Sequence, residues 1–210
     1  TGDTIRVWDQ NSGMTQELWS SFDHLSTDDR VVWNERDPKR WTHFNSIQIA
    51  PRGNIVVSSR HRNQVISISP HYQLVEWYLG GPNSFFTFPN PADKFYRQHT
   101  ATELHNGNIL VFDNGTDRPE EEGGQYSRAL ELALNGYDST ATKVWEYRPD
   151  PDIFASFVSS AYRLENGNTL VNFGTSPDVV TVPITVVEVD RLGNEVWKLK
   201  MTGPALRYRQ

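Results

Sequence analysis

The chain has 210 residues, a formal net charge of −6, 37% hydrophobic and 12% aromatic residues, and no cysteine. That length allows one sizeable core, and no low-complexity tract or Ser/Gly/Pro-rich linker divides it. The absence of cysteine excludes thiolate chemistry and disulfides. An acidic balance with scattered lysines and arginines argues against tracking nucleic-acid phosphates, and no apolar run approaches the roughly twenty residues that span a bilayer as a helix.

The first elements read as strands. Thr4-Ile5-Arg6-Val7-Trp8-Asp9 and Glu17-Leu18-Trp19 are expected to be the third and fourth strands of a half blade within residues 1–24. A repeated phrase follows. An apolar strand, Gly-Asn, and a second apolar strand recur as Ile47-Gln48-Ile49 with Gly53-Asn54-Ile55-Val56-Val57, as Ala101-Thr102-Glu103-Leu104 with Gly107-Asn108-Ile109-Leu110-Val111, and as Ala161-Tyr162-Arg163-Leu164 with Gly167-Asn168-Thr169-Leu170-Val171. Gly-Asn marks a hairpin, because both residues tolerate the positive φ of primed turns. Third strands are expected at Gln64-Val65-Ile66-Ser67-Ile68, Ser127-Arg128-Ala129-Leu130-Glu131-Leu132 and Thr185-Val186-Val187-Glu188-Val189. Fourth strands carry Val75-Glu76-Trp77, Val144-Trp145 and Val196-Trp197, which predicts equivalent Trp positions. No long stretch sustains a helical apolar period with caps.

A strand-only repeat of roughly fifty to sixty residues is the signature of a β-propeller blade. The expected fold is all-β: one propeller domain over residues 1–210, with the half blade at 1–24 and full blades at 41–81, 97–148 and 157–201. Closed propellers carry about four to eight blades. Three and a half blades therefore suggest part of a larger ring, and a four-bladed ring closed by the terminal strands is the alternative.

Polar residues concentrate at the blade entries. Trp41-Thr42-His43-Phe44-Asn45-Ser46 leads into the first full blade, and His43 and Asn45 share a face if the segment is extended. Tyr96-Arg97-Gln98-His99-Thr100 leads into the second. A histidine in each lead-in suggests that His43 and His99 occupy equivalent positions and converge on the central channel, although each alone is compatible with a structural hydrogen-bonding role. Arg60 follows the first blade's second strand, and Arg118 follows the second blade's beyond Phe112-Asp113-Asn114-Gly115. Arginine offers a fork for a tetrahedral oxyanion, while a rim ion pair, for Arg118 with Glu120 or Glu121, is the plainer use. His61, next to Arg60, is expected at the surface. Asp113 and Asp117 supply too few ligands for calcium, so no metal site is expected.

In this order and spacing, HxNS with SSRH, then QHTA, FDNG with a nearby Arg, YSR and VWEY resemble the arylsulfotransferase propeller family from about Trp41 to about Gly174. The resemblance implies a six-bladed propeller, periplasmic or secreted. Its activity would move a sulfuryl group from an aryl sulfate to a phenol, with no cofactor and no nucleotide sulfate donor. By motif, His43, His99 and Arg118 match positions around the sulfate, and Asn45, Arg60 and Asn114 belong to matching motifs as substrate-binding candidates. In one assignment Arg118 and His43 hold the sulfate oxygens and His99 does acid–base work. The two histidines are interchangeable in that scheme, and either imidazole can act as nucleophile. One departure stands out: the resemblance places a sulfurylated histidine in the stretch 172–179, which here contains none, and no histidine occurs after His105. A non-catalytic binding propeller and a metal-assisted hydrolase or lactonase are the rival readings.

Overall fold

The computed structural model describes residues 2–29, 41–174 and 184–201. Fourteen strands are described, in four antiparallel meanders. The first sheet is two-stranded, β1 (Thr4–Trp8) against β2 (Thr15–Ser20), and a four-residue helix α1 (Ser21–His24) follows it. The next comprises β3 (Phe44–Ile49), β4 (Ile55–Ser59), β5 (Gln64–Ser69) and β6 (Leu74–Leu79). The third comprises β7 (His99–Glu103), β8 (Ile109–Asp113), β9 (Arg128–Asn135) and β10 (Thr140–Tyr147). The last comprises β11 (Ser160–Arg163), β12 (Thr169–Phe173), β13 (Ile184–Val189) and β14 (Glu195–Met201). The expected all-β architecture of four-stranded antiparallel blades is therefore the one observed.

Side-chain alternation explains how the sheets stack. Successive residues of a strand face opposite sides, so a strand buried on both faces can be apolar throughout. On β4, Ile55 and Val57 enter the core shared with the two-stranded sheet, beside Trp19 and Trp41, while Val56 faces the next sheet. On β8, Ile109 and Val111 meet Val56 and Val65, whereas Leu110 and Phe112 face the last sheet and its Val171 and Phe173. Each such fully buried side chain contributes about 1.5–3 kcal/mol against exposure. Among the described residues the last sheet is covered on one face only, and its outer strand β14 is exposed along its whole length.

The hairpins sit where expected but with a different turn. Gly53, Gly107 and Gly167 have φ of +93°, +85° and +87°, and each amide bonds back to the carbonyl three residues earlier, on Ala50, Leu104 and Leu164. The asparagines that follow have no positive φ. The connection is therefore a four-residue turn closed by a left-handed glycine, not a two-residue primed turn on Gly-Asn. The asparagine serves a different purpose: Asn108 Nδ2 donates to Glu131 at 2.6 Å, and Asn168 Nδ2 to Glu188 at 2.7 Å, clasping the third strand. In the first four-stranded sheet Asn54 reaches Ser67 and Glu76.

The Trp register holds. Trp77 pairs with Ser67, Trp145 with Glu131 and Trp197 with Glu188, each beside a β-bulge. Trp77 and Trp145 pack against inter-sheet cores, while Trp197 on the uncovered sheet is 48% exposed.

Candidate functional site

The meander gives each four-stranded sheet two ends. Gly hairpins lie at one; the entry of the first strand and the exit of the second lie together at the other. At this second end the Arg60 and His61 amides bond to the His43 and Thr42 carbonyls, stitching the β4 exit to the β3 entry. Gly115 N bonds likewise to the Tyr96 carbonyl at the β8 exit.

The two histidines do not occupy equivalent positions, as the repeat suggested. Gln48 pairs with Val56 and Thr102 with Leu110, each strand partner two residues beyond its Gly-Asn. Counting back along the chain, His99 corresponds to Asn45, and His43 corresponds to Arg97. Backbone conformation agrees: His43 and Arg97 both have left-handed φ, +54° and +56°. The two lead-ins are offset by two residues, which the shared histidine concealed.

His99 is 9% exposed, and its Nδ1 lies 2.7 Å from Asn114 Oδ1. Burial pushes its pKa down from 6.5 to about 4; the Asn114 bond opposes this, and the charges of Arg60 and His43 push it further down. The ring is thus neutral across the ordinary pH range, and the same electrostatics ties His43, Arg60 and His99 into one neighbourhood. His43 is exposed, and its ring rests on His61 at 4.7 Å between centroids. His61 is not at the surface as expected; it is buried beneath His43.

Arg60 is half-buried at the β4 exit. Its Nη2 donates to the Ser156 carbonyl at 3.2 Å, and its buried Nε has no hydrogen-bond partner. Burial and the Arg97 charge lower its pKa to about 10, which still leaves it cationic. Asp117, whose charge it senses, is gripped by Arg97 through Nε at 2.9 Å and Nη2 at 2.7 Å. Among the described residues Arg60 forms no ion pair. It is a cation held in a partly dry setting without a dedicated anion, a state that costs free energy unless an anion is supplied.

Arg118 does not join this group. Its side chain is inaccessible, its Nη2 bonds to Asp113 Oδ2 at 2.5 Å, and Asp113 is equally buried. Nη1 donates to the Lys94 carbonyl, and the guanidinium lies over the Tyr126 and Tyr96 rings at 4.3 and 5.3 Å. Arg128 shares the same carboxylate at 3.0 Å. Arg118 is therefore part of a buried ion-pair network, out of reach of a ligand, and the contact with sulfate expected from its motif has no geometric basis.

The two asparagines also differ. Asn45 Nδ2 donates to the Gln98 carbonyl at 2.8 Å, and its Oδ1 is buried without a partner. Asn114 is fully buried, and its amide is bonded to His99 and to the Ala155 and Val158 carbonyls. Sequence reasoning passed over Gln98, whose Nε2 reaches Ser58 Oγ and the Ser59 and Gln64 carbonyls at 3.0–3.2 Å. That clasp joins the second four-stranded sheet to the first and fixes the neighbour of His99. It also passed over Arg97 with Asp117. Gln98 and Arg97 stand in the quoted motifs, but nothing in the sequence reveals their partners.

A cleft of about 840 Å³ lies at the opposite, hairpin end, lined by Glu103, Asn108, Glu131, Trp145 and Arg163 among others. There Asn108 Nδ2 and Arg163 Nη2 both donate to Glu131, while the buried Arg163 Nε has no hydrogen-bond partner. Residues 175–183, which include most of the stretch where the resemblance places a histidine, lie outside the described residues. Among the described residues no group of three or more His, Asp or Glu is placed to hold a metal ion, and no helix is long and apolar enough to cross a membrane.

Comparison with known proteins gives this geometry a context. Residues 1–209 match the family described as "Arylsulfotransferase (ASST)". The arylsulfate sulfotransferase AssT of Escherichia coli is 29% identical over 171 residues, 66% of this chain and 28% of that protein. The enzyme of the same name from Lelliottia amnigena is 25% identical over 176 residues, 69% of this chain and 29% of that protein. The chain thus spans less than a third of the length of these relatives. Among solved structures, a Bacteroides caccae protein of unknown function aligns with a TM-score of 0.50 at 14% identity, covering 96% of this chain and 56% of that one. This last likeness concerns the fold alone.

Proposed function

The chain belongs to the arylsulfotransferase family, and from that premise we propose that the end of the sheets bearing His43, Arg60 and His99 moves a sulfuryl group from an aryl sulfate to a phenol, with no nucleotide sulfate donor and no cofactor. On this reading residues 1–210 are part of one propeller domain in a six-bladed ring, acting in a periplasmic or secreted setting.

The observation that carries the reading is the state of His99. Burial pushes its pKa down to about 4, its Nδ1 is bonded to Asn114, and it feels the charge of Arg60, which forms no ion pair among the described residues. A neutral imidazole is a competent nucleophile. In the first half-reaction a His99 nitrogen attacks sulfur, an N–S bond forms, and the S–O(aryl) bond breaks. The departing aryloxide carries the electron pair and takes a proton from His43 or water. In the second, the phenol oxygen attacks sulfur, the N–S bond breaks, and the phenolic proton passes to the same base. Arg60 answers the charge on the three non-bridging oxygens, where a preorganised donor in a partly dry site acts strongly. Asn45, with an unpartnered oxygen beside Gln98, is the second substrate-binding candidate. Arg60 thus takes the role that the motif resemblance gave to Arg118.

The test is release of 4-nitrophenol from 4-nitrophenyl sulfate, with and without phenol. Acceptor-dependent release that Arg60→Met and His99→Gln each reduce by roughly a hundredfold or more supports the reading. Release abolished by a chelator would point to the metal-assisted hydrolase, and binding of the aryl sulfate without turnover to the binding propeller.

A further inference from the structure

We propose that Asn114 is a positioning residue that fixes the tautomer of His99, keeping its proton on Nδ1 and presenting the Nε2 lone pair to the reacting group. The inference rests on the role given to His99 above, but its evidence is separate.

The argument is one of donors and acceptors. Asn114 Nδ2 lies 2.6 Å from the Ala155 carbonyl and 3.1 Å from the Val158 carbonyl, and carbonyls only accept. The NH2 end of the amide is thereby committed, and the end facing His99 Nδ1 at 2.7 Å is the oxygen, which also only accepts. The shared hydrogen therefore belongs to the imidazole Nδ1, and the neutral ring keeps its lone pair on Nε2. Turning the amide over would forfeit two bonds and set oxygen against two carbonyls.

The amide is held from both sides. Asn114's own carbonyl accepts from Ser127 Oγ at 2.7 Å, and Ser127 Oγ in turn accepts from the Ala155 amide at 2.9 Å. One buried residue therefore joins the β8 exit, the start of β9, the 155–158 segment and His99. A carboxylate in its place would orient the ring equally well, as the acid of a Ser-His-Asp triad does. It would also favour the imidazolium and compete with a sulfate for Arg60. A neutral amide orients the ring without either effect. Arg60 and His43 act on His99 in the opposite sense to Asn114, and the Arg97 carbonyl adds a smaller upward pull.

The experiment is long-range 1H–15N correlation on the full chain labelled with 15N-histidine, with His99 assigned by loss of its signals in His99→Gln. The expected spectrum has His99 neutral with Nδ1 protonated down to about pH 5. Asn114→Leu, which cannot accept a hydrogen bond, should release the ring to the Nε2–H form or a mixture. It should also lower kcat by roughly tenfold or more with KM little changed. Asn114→Asp should retain the Nδ1–H tautomer, raise the His99 pKa and move the acidic limb of the kcat profile to higher pH. Nε2–H in the wild type, or an unaltered tautomer in Asn114→Leu, would overturn the proposal. If Asn114→Leu fails to fold, the wild-type and Asn114→Asp spectra still decide it. A correct tautomer with full turnover by His99→Gln would instead defeat the role given to His99.

Discussion

The exits of β4 and β8 occupy the same place in neighbouring sheets, yet their arginines have opposite fates. Ser59 ends β4 and pairs with Gln64; Asp113 ends β8 and pairs with Arg128. Asp113 is saturated: Oδ1 accepts from the Tyr96 and Gly115 amides, and Oδ2 from Arg118 and Arg128. It therefore neutralises the arginine of its own loop and turns that loop into a buried strut. Ser59 offers only a hydroxyl, which donates to the Thr42 carbonyl at 2.8 Å. Among the described residues the adjacent Arg60 forms no ion pair, and its charge helps to hold the His99 pKa down. The residue at the end of the second strand separates the two: Asp113 draws Arg118 into an ion pair, and Ser59 offers Arg60 none.

The largest expected effect comes from swapping the two arginines' consequences. Arg118→Met strands part of a buried carboxylate and should cost about 3–5 kcal/mol in urea unfolding, the penalty for breaking a buried ion pair on one side. Arg60→Met loses one hydrogen bond to a carbonyl and should stay within about 1–1.5 kcal/mol of wild type, while turnover collapses. Equal stability losses would erase the distinction drawn between the two exits.

A pH series sharpens the β4 side of the comparison. His99 has a pKa near 6.5 when unfolded and about 4 when folded, so between these values the unfolded chain binds more protons. Folding stability should thus be complete above pH 6.5 and fall as pH drops toward 4, by at most about 3 kcal/mol. His99→Gln should flatten that part of the pH dependence. A wild-type profile that is already flat would mean the ring is not held neutral.

The smallest effect is a control at the far end of the sheets. A Cβ on Gly53 would meet nothing within 4 Å, so only its φ of +93° resists substitution. Gly53→Ala should cost about 1 kcal/mol in a thermal melt and leave turnover intact. Loss of activity there would couple the hairpin end to the reactive end and break the separation between them.

The repeats were legible because they are local. Strand alternation, the Gly turns and the Trp register follow from side-chain period and φ preference, and each blade shows them again. The finer turn chemistry was not, since Asn108 and Asn168 act on Glu131 and Glu188 some twenty residues away. The proposed site draws on His43, Arg60 and His99, which the sequence already singles out, but it gives them other roles than the motifs suggested. Matching motif to motif placed the two histidines as equivalents, although His43 lies ten residues before Gly53 and His99 eight before Gly107, an offset visible by counting from the turns. Arg118 looked like an anion ligand although Asp113 lies only five residues before it, because the sequence does not show that this carboxylate turns onto Arg118; its other partners Lys94, Tyr96 and Tyr126 meet it only on folding.

The most direct test of the account is to expose the chain to an aryl sulfate without acceptor, quench, digest and map any peptide heavier by one SO3 group. A modified peptide containing His99, absent in His99→Gln and discharged by added phenol, is the predicted result. Acceptor-dependent turnover that never modifies that peptide, or modification elsewhere that survives His99→Gln, would contradict it.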